Sequence, residues 1–173
     1  MNCEYLLVDG YNIIHAWPEL KELAAVNLDA ARTSLQDTLC NYQGYKKCQV
    51  IVVFDGYKVK GNPGTVVPYH NIHVVFTKEA ETADQYIEKV TQQMDRHYSV
   101  AVATSDKLEQ IIILGKGAMR LSAQDLKKEI RETNAEIKKE HLERTVSKWL
   151  FDHVDPQLLE YLEDIRLHGR KDE

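Results

Sequence analysis

Three short apolar runs in this chain end on or just before an aspartate: Tyr5-Leu6-Leu7-Val8-Asp9, Val50-Ile51-Val52-Val53-Phe54-Asp55 and Val100-Ala101-Val102-Ala103-Thr104-Ser105-Asp106. A fourth, Val74-Val75-Phe76-Thr77, leads into Glu79-Ala80-Glu81-Thr82-Ala83-Asp84-Gln85. Continuous apolar strands separated by helical segments belong to a parallel sheet covered on both faces, because a strand buried on both sides has no polar side to show. Ligands on such sheets sit at the carboxyl ends of the strands, so the spacing brings Asp9, Asp55, Asp84 and Asp106 to one edge. Carboxylates gathered together repel one another, and an oxygen-rich cluster of this kind is the usual seat of Mg²⁺ or Mn²⁺. The pattern reads as a metal-dependent enzyme on an α/β fold.

Each acid also has a plainer explanation. Asp-Gly after a strand is a common turn, which covers Asp9-Gly10 and Asp55-Gly56. Asp84 suits a helix N-terminus and Asp106 a helix cap. The four together on one edge are what single out the metal site.

The chain has 173 residues, enough for one domain with a core of its own and without disulfide or metal staples. Cys3, Cys40 and Cys48 are odd in number and lack CxxC spacing, so they read as reduced packing residues. No basic segment followed by a long apolar stretch opens the sequence, which points to a cytoplasmic protein. With 27 acidic against 22 basic residues the formal charge is −5, the wrong sign for binding nucleic acid by bulk attraction. Any such contact is therefore local, and Lys58, Lys60, Lys116 and Arg120, in or beside expected loops, could form a basic rim around the acidic centre.

Between the strands the periodicity predicts a short helical turn over residues 12–17, interrupted by Pro18, and a helix of about four turns from Leu28 to Tyr42 carrying Leu28, Ala31, Leu35 and Leu39. Residues 56–71 hold three glycines, two prolines and two lysines without helical or alternating pattern, and read as the longest loop, leaving the edge that Asp55 occupies. A helix is expected from Glu79 to about His97, another from Lys107 to about Leu114, an edge strand at 118–121 and a helix capped by Ser122 with Asp125 in capping-box spacing. From about Asn134 the pattern is charged and helical with Leu142, Val146, Trp149 and Leu150 on one face, and Asp155-Pro156 opens a last helix. These divide the chain into a domain over 1–133 and a helical extension over 134–173, packed on or beside it.

Asp9-Gly10-Tyr11-Asn12, Ala31-Arg32-x-x-Leu35, Phe54-Asp55-Gly56, Glu81-Thr82-Ala83-Asp84 and Thr104-Ser105-Asp106 resemble, in order and spacing, the NYN/PIN-like ribonuclease superfamily, and in length and tail its YacP-like bacterial branch. The resemblance covers about residues 4 to 130. It implies a three-layer α/β/α sandwich on a mainly parallel sheet and divalent-metal-dependent cleavage of RNA. For the YacP-like branch it implies an mRNA endoribonuclease associated with the ribosome. Carried over by position, Asp9, Asp55, Asp84 and Asp106 match the acidic residues and Asn12 the asparagine of the motif. Beyond Asn134 no motif matches.

Chemistry gives these residues roles. Phosphodiester hydrolysis needs an acidified water and neutralised charge on the phosphate and the leaving oxygen, which Mg²⁺ or Mn²⁺ supplies. Asp9 and Asp106 are read as direct ligands, Asp84 as a direct or water-mediated one, Asp55 as a ligand or the group orienting the water, and Asn12 as a partner of a carboxylate or of the phosphate. Tyr11, Lys58, Lys60, Glu81 and Ser105 are further candidates for holding substrate, with Tyr57 and Tyr69 placed near the same edge to stack on unpaired bases. His70 and His73 lack a third ligand and read as exposed. A phosphatase of the aspartyl-phosphate type would need an aspartate where Tyr11 stands, and a receiver-type regulator would need a lysine where Asp106 stands. The alternative from another class is a catalytically inactive PIN-like module that binds RNA or the ribosome.

Overall fold

A computed structural model describes residues 3–56, 64–94, 98–106 and 118–153, with side chains of the last helix described to residue 143. The chain divides into two compact units, Met1–Thr133 and Asn134–Glu173. Strands β1 (Tyr5–Asp9), β2 (Gln49–Phe54), β3 (Thr65–Tyr69), β4 (Ile72–Phe76), β5 (Val100–Thr104) and β6 (Met119–Ser122) form one sheet in the order β3-β4-β2-β1-β5-β6. All neighbours are parallel except β3 and β4. Among the described residues the helices are α1 (Gly10–Ala16), α2 (Pro18–Val26), α3 (Leu28–Lys46), α4 (Ala83–Gln93) and α5 (Ala123–His153).

Side chains on a strand alternate between the two faces, and here both faces are filled. Leu6, Val8, Val50, Val52, Phe54, Ile72, Val74, Ala101 and Ala103 point to one side, where they meet Ile13, Ile14, Leu20, Ala31, Leu35, Leu39 and Leu126 of the helices. Leu7, Val53, Val75, Val100 and Val102 point to the other, against Ala83 and Ile87 of α4. That is the expected three-layer sandwich, and it explains why the strands read as unbroken apolar runs. The chain builds outward from β1 in both directions, through β2 and β4 on one side and β5 and β6 on the other. The carboxyl end of β1 is thus the switch point of the sheet, the place where open α/β sheets bind ligands.

Local chemistry accounts for the element ends, and for several departures from the sequence reading. Pro18 stops α1 but, lacking an N–H that a first helical turn would leave unbonded anyway, it opens α2, a helix the sequence reading did not foresee. Asn27 accepts from the Ala30 N–H at 3.0 Å to start α3, which runs past Tyr42 to Lys46 and closes on Lys47 at φ 56°. The helix expected from Glu79 begins only at Ala83, because Thr82 and Gln85 form a reciprocal capping box and the chain before it turns, with the Glu81 N–H on the Lys78 carbonyl at 2.9 Å. Ser122 and Asp125 cap α5 as their spacing predicts, and this helix continues without a break through Asn134. Helices expected at 107–114 and beyond 156 lie outside the described residues.

The loop expected over 56–71 is the largest departure. Its second half is β3, paired antiparallel with β4 through a two-residue turn at His70 and Asn71, with His70 at φ 50°. Pro68 is tolerated because β3 is an edge strand whose outer side needs no donor. Val66 and Val67 are both exposed, which is why no alternation announced the strand. Hydrogen bonds from the Tyr69 hydroxyl to Asp37 (2.8 Å) and from the Asn71 amide to the Cys40 carbonyl (2.9 Å) fasten the hairpin to α3. All three cysteines are free. Among the described residues no helix is long and apolar enough to cross a membrane.

Gly56 sits where β2 leaves the sheet, and a Cβ there would come within 1.6 Å of the Thr77 carbonyl oxygen. The obstacle is backbone that also bonds Phe54, with the Thr77 N–H on the Phe54 carbonyl at 3.0 Å, so it cannot step aside. Gly56→Ala is expected to cost on the order of 2–4 kcal/mol, the range of a forced backbone displacement, read as a shift in urea midpoint at unchanged slope.

Candidate active site

Asp9 ends β1 and caps α1, and among the described residues it is the only acidic side chain in the buried core, 3% exposed. Its Oδ1 accepts from the Asn12 backbone N–H at 3.0 Å and its Oδ2 from the Asn12 side-chain amide at 2.6 Å. Both oxygens are therefore held by one residue. Gly10 makes the geometry possible, since a Cβ there would lie 2.2 Å from the buried Phe54 ring.

Asn12 is fixed in turn. Its Oδ1 accepts from the Ser105 hydroxyl at 2.7 Å, a bond that joins the ends of neighbouring strands β1 and β5 across 93 positions of sequence. Since the Asp9 carboxylate only accepts, the NH₂ end must face it, and Ser105, Asn12 and Asp9 form one directed chain.

Asp84 stands in the first turn of α4. Burial pushes the Asp9 carboxyl up to about 6, the Asn12 bonds work against that, and the negative charge of the nearby Asp84 adds to the rise. Asp9 and Asp84 thus meet as like charges. Asp55, half-buried just past β2, accepts from the Ala83 N–H at 2.6 Å through Oδ1. Asp106, half-buried two positions past the end of β5, has its backbone N–H on the Thr104 hydroxyl at 3.1 Å.

The strand ends that lead to three of the acids lie in register, with Asp9 opposite Val53 of β2, two positions before Asp55, and Val8 opposite Ala103 of β5, three positions before Asp106; Asp84 comes from the first turn of α4. Among the described residues, however, no three Asp, Glu, His or Cys side chains stand together as they would around a metal ion. Asp9 and Asp84 are near enough for their charges to interact. The donors of this pair are all carboxylate oxygen, which suits Mg²⁺ or Mn²⁺ and not a metal that wants nitrogen or sulfur. One member is buried and fixed by the neutral donors of Asn12, so a cation beside the pair would offset charge that those donors leave uncompensated.

Other candidates fall elsewhere. Tyr11 is 5% exposed, packs edge-on to Phe54 with ring centroids 5.1 Å apart and accepts from Arg32 Nε at 3.1 Å, so its ring is core and not a platform for a base. Arg32 also pairs with Asp29. Tyr69 is at the opposite end of the sheet, because β3 runs antiparallel and Tyr69 pairs with Ile72 at the start of β4. Glu81 precedes α4 and faces Lys89 at 3.9 Å. Ser105 is exposed, with its hydroxyl engaged by Asn12. His70 and His73 are exposed, as expected. Tyr57, Lys58, Lys60 and Lys116 lie outside the described residues.

Thr77 was not singled out from sequence. Buried at 1% exposure, its hydroxyl accepts from the Gly56 N–H at 2.9 Å and steadies the turn that carries Asp55. A threonine after a strand is too common to signal this.

The model of the YacP-like NYN domain family matches residues 6–167. The YacP protein of Bacillus subtilis (strain 168) is 44% identical over 137 residues, covering 79% of this chain and 80% of that protein. A crystal structure of a tryptophan-to-leucine mutant of Rae1 (YacP) from Bacillus subtilis is 37% identical with a TM-score of 0.72, covering 92% of this chain and 98% of that one. A second crystal structure of Rae1 (YacP) from the same organism is 40% identical with a TM-score of 0.71, covering 95% of each chain.

Asn12→Ala would leave a buried carboxylate oxygen without its donor and is expected to cost about 1–3 kcal/mol in chemical denaturation. Asp9→Asn should behave differently. It removes a buried charge and keeps an acceptor for the Asn12 N–H, while the Asn12 amide can turn over because the Ser105 hydroxyl can accept as well as donate. The expected result is a melting midpoint in EDTA within about 3 °C of wild type, together with loss of whatever metal-dependent activity the site performs.

Proposed function

This chain belongs to the YacP-like NYN domain family, and from that premise we propose that it is a divalent-metal-dependent endoribonuclease acting on single-stranded RNA, with mRNA on the ribosome as its natural substrate in the cytoplasm. The observation that carries this reading is the buried Asp9 at the switch point of the sheet, clamped by Asn12 and faced by Asp84. A fold that sets two carboxylates against each other at its ligand-binding edge gains from a cation there. Asp9, Asp84 and Asp106 are the residues that would hold it.

A bound Mg²⁺ or Mn²⁺ supplies an acidified water and neutralises charge on the phosphate. The chain's own contribution is placement. Asn12 keeps both Asp9 oxygens in one orientation, so no reorganisation of that carboxylate accompanies the reaction. The Asp9 carboxylate, which only accepts, keeps the asparagine NH₂ end toward it, and Ser105 holds the other end of the amide. The half-buried setting of Asp84 and Asp106 leaves the site open to a phosphate from the solvent side.

Cleavage of an unstructured RNA should appear with Mn²⁺ or Mg²⁺, vanish with EDTA, and fall at least about a hundredfold in Asp9→Asn and Asp84→Asn. Circular RNA should be cut as well as linear RNA. Wild-type protein that binds RNA but never cleaves it under these conditions would point instead to an inactive binding module.

The net charge of −5 bears on the partner. Weak long-range attraction to RNA favours delivery on a larger particle, where a second contact raises the effective concentration of substrate. Free RNA should therefore be a poor substrate beside the same transcript on translating ribosomes. Lys58→Glu with Lys60→Glu should raise KM on either substrate and leave Mn²⁺ affinity nearly unchanged. Equal cleavage of both substrates by both proteins would remove the lysines and the ribosome from the reading.

A further inference from the structure

Resting on the nuclease reading above, we propose that Asp55 is a positioning residue that fixes α4, and through it Asp84, and is not a metal ligand. Its Oδ1 accepts the Ala83 N–H at 2.6 Å. Ala83 is the first residue of α4, and the first N–H groups of a helix have no partner within the helix. Thr82 serves the Gln85 N–H at 3.2 Å, so the Ala83 donor depends on Asp55. Asp84 is the next residue. Whatever sets the Ala83 backbone sets where the Asp84 carboxylate meets Asp9.

The turn that carries Asp55 is built to keep that position. The Gly56 N–H bonds the buried Thr77 hydroxyl at 2.9 Å, and the Thr77 N–H bonds the Phe54 carbonyl at 3.0 Å. No side chain fits between Gly56 and the Thr77 carbonyl, so the two segments lie in direct backbone contact. Asp55 is therefore held on both sides while it reaches across to α4, which the positive end of the helix dipole favours. Asp9, by contrast, has its two oxygens held by Asn12 and lies against Asp84, which is the arrangement of a pair presented to a ligand.

The test separates charge from the acceptor. Asp55→Asn keeps an oxygen for the Ala83 N–H and loses the charge, and Asp55→Ala loses both. Three measurements are needed on each full-length protein: hydrogen exchange at the Ala83 amide, Mn²⁺ affinity by calorimetry without RNA, and kcat and KM for cleavage. The expected pattern is that Asp55→Ala speeds exchange at Ala83 by about tenfold or more and lowers kcat by about fiftyfold with KM within about threefold. Asp55→Asn should restore Ala83 protection, keep Mn²⁺ affinity within about twofold and recover most of the lost kcat. A direct ligand gives the opposite result: both variants lose Mn²⁺ affinity by about tenfold or more, asparagine rescues nothing, and Ala83 stays protected. Unchanged Ala83 exchange in Asp55→Ala would also overturn the proposal. If wild-type protein neither cleaves RNA nor binds Mn²⁺, the nuclease reading alone falls, since Ala83 exchange still reports whether Asp55 holds α4.

Discussion

The bidentate hold of Asn12 on Asp9 is the contact around which this edge of the molecule is organised. A carboxylate that is 3% exposed needs partners for both oxygens, and a single residue three positions along the chain supplies them from its backbone and its side chain. The same contact caps α1 and so sets the angle at which the chain leaves the central strand. Ser105 then ties Asn12 to the end of β5. Three residues from two neighbouring strand ends thereby share one orientation, and a displacement of any one would be felt by the others.

A second set of bonds fixes the other carboxylates. Asp55 binds the start of α4, Thr77 binds the turn that carries Asp55, and α4 brings Asp84 to Asp9. The two sets meet at the Asp9 and Asp84 contact. In both, the carboxylates are met by neutral donors, the backbone N–H groups of Asn12 and Ala83 and the Asn12 amide. Neutral donors lower the cost of burying a carboxylate, but they cannot cancel the repulsion between two of them. A cation can, and this electrostatic state is what ties the fold to metal-dependent chemistry in the reading proposed here.

The sheet explains why the site is where it is. Strand order reverses around β1, with helices α1 to α3 on one face and α4 on the other, so its carboxyl end is flanked by both layers. Residues far apart in sequence arrive there because parallel strands end in register. Tyr69 shows the converse: an antiparallel strand carries its last residue to the far end of the sheet, away from the acids.

Sequence alone determined the parallel sheet, its two covered faces and the sheet edge at which the strands leading to Asp9, Asp55 and Asp106 end, because unbroken apolar runs have one stable environment and strand ends have one direction. It also determined the cap at Ser122, which is local, and offered Asn12 as the partner of a carboxylate or of the phosphate. Tertiary structure decided the rest. The exposed valines of β3 carry no alternation, and only pairing with β4 makes that segment a strand. Tyr11 looked like a residue of the active edge and became core, because its direction depends on how α1 packs on Phe54. Ser105 looked like a substrate contact until its bond to Asn12, 93 positions away, assigned its hydroxyl. Asp55 carried the same signal as Asp9, an acid at a strand end, yet one is clamped in the core and the other holds a helix. A sequence records which side chain stands at each strand end, but the partner it meets is set by the packing of distant elements, and that partner decides its role.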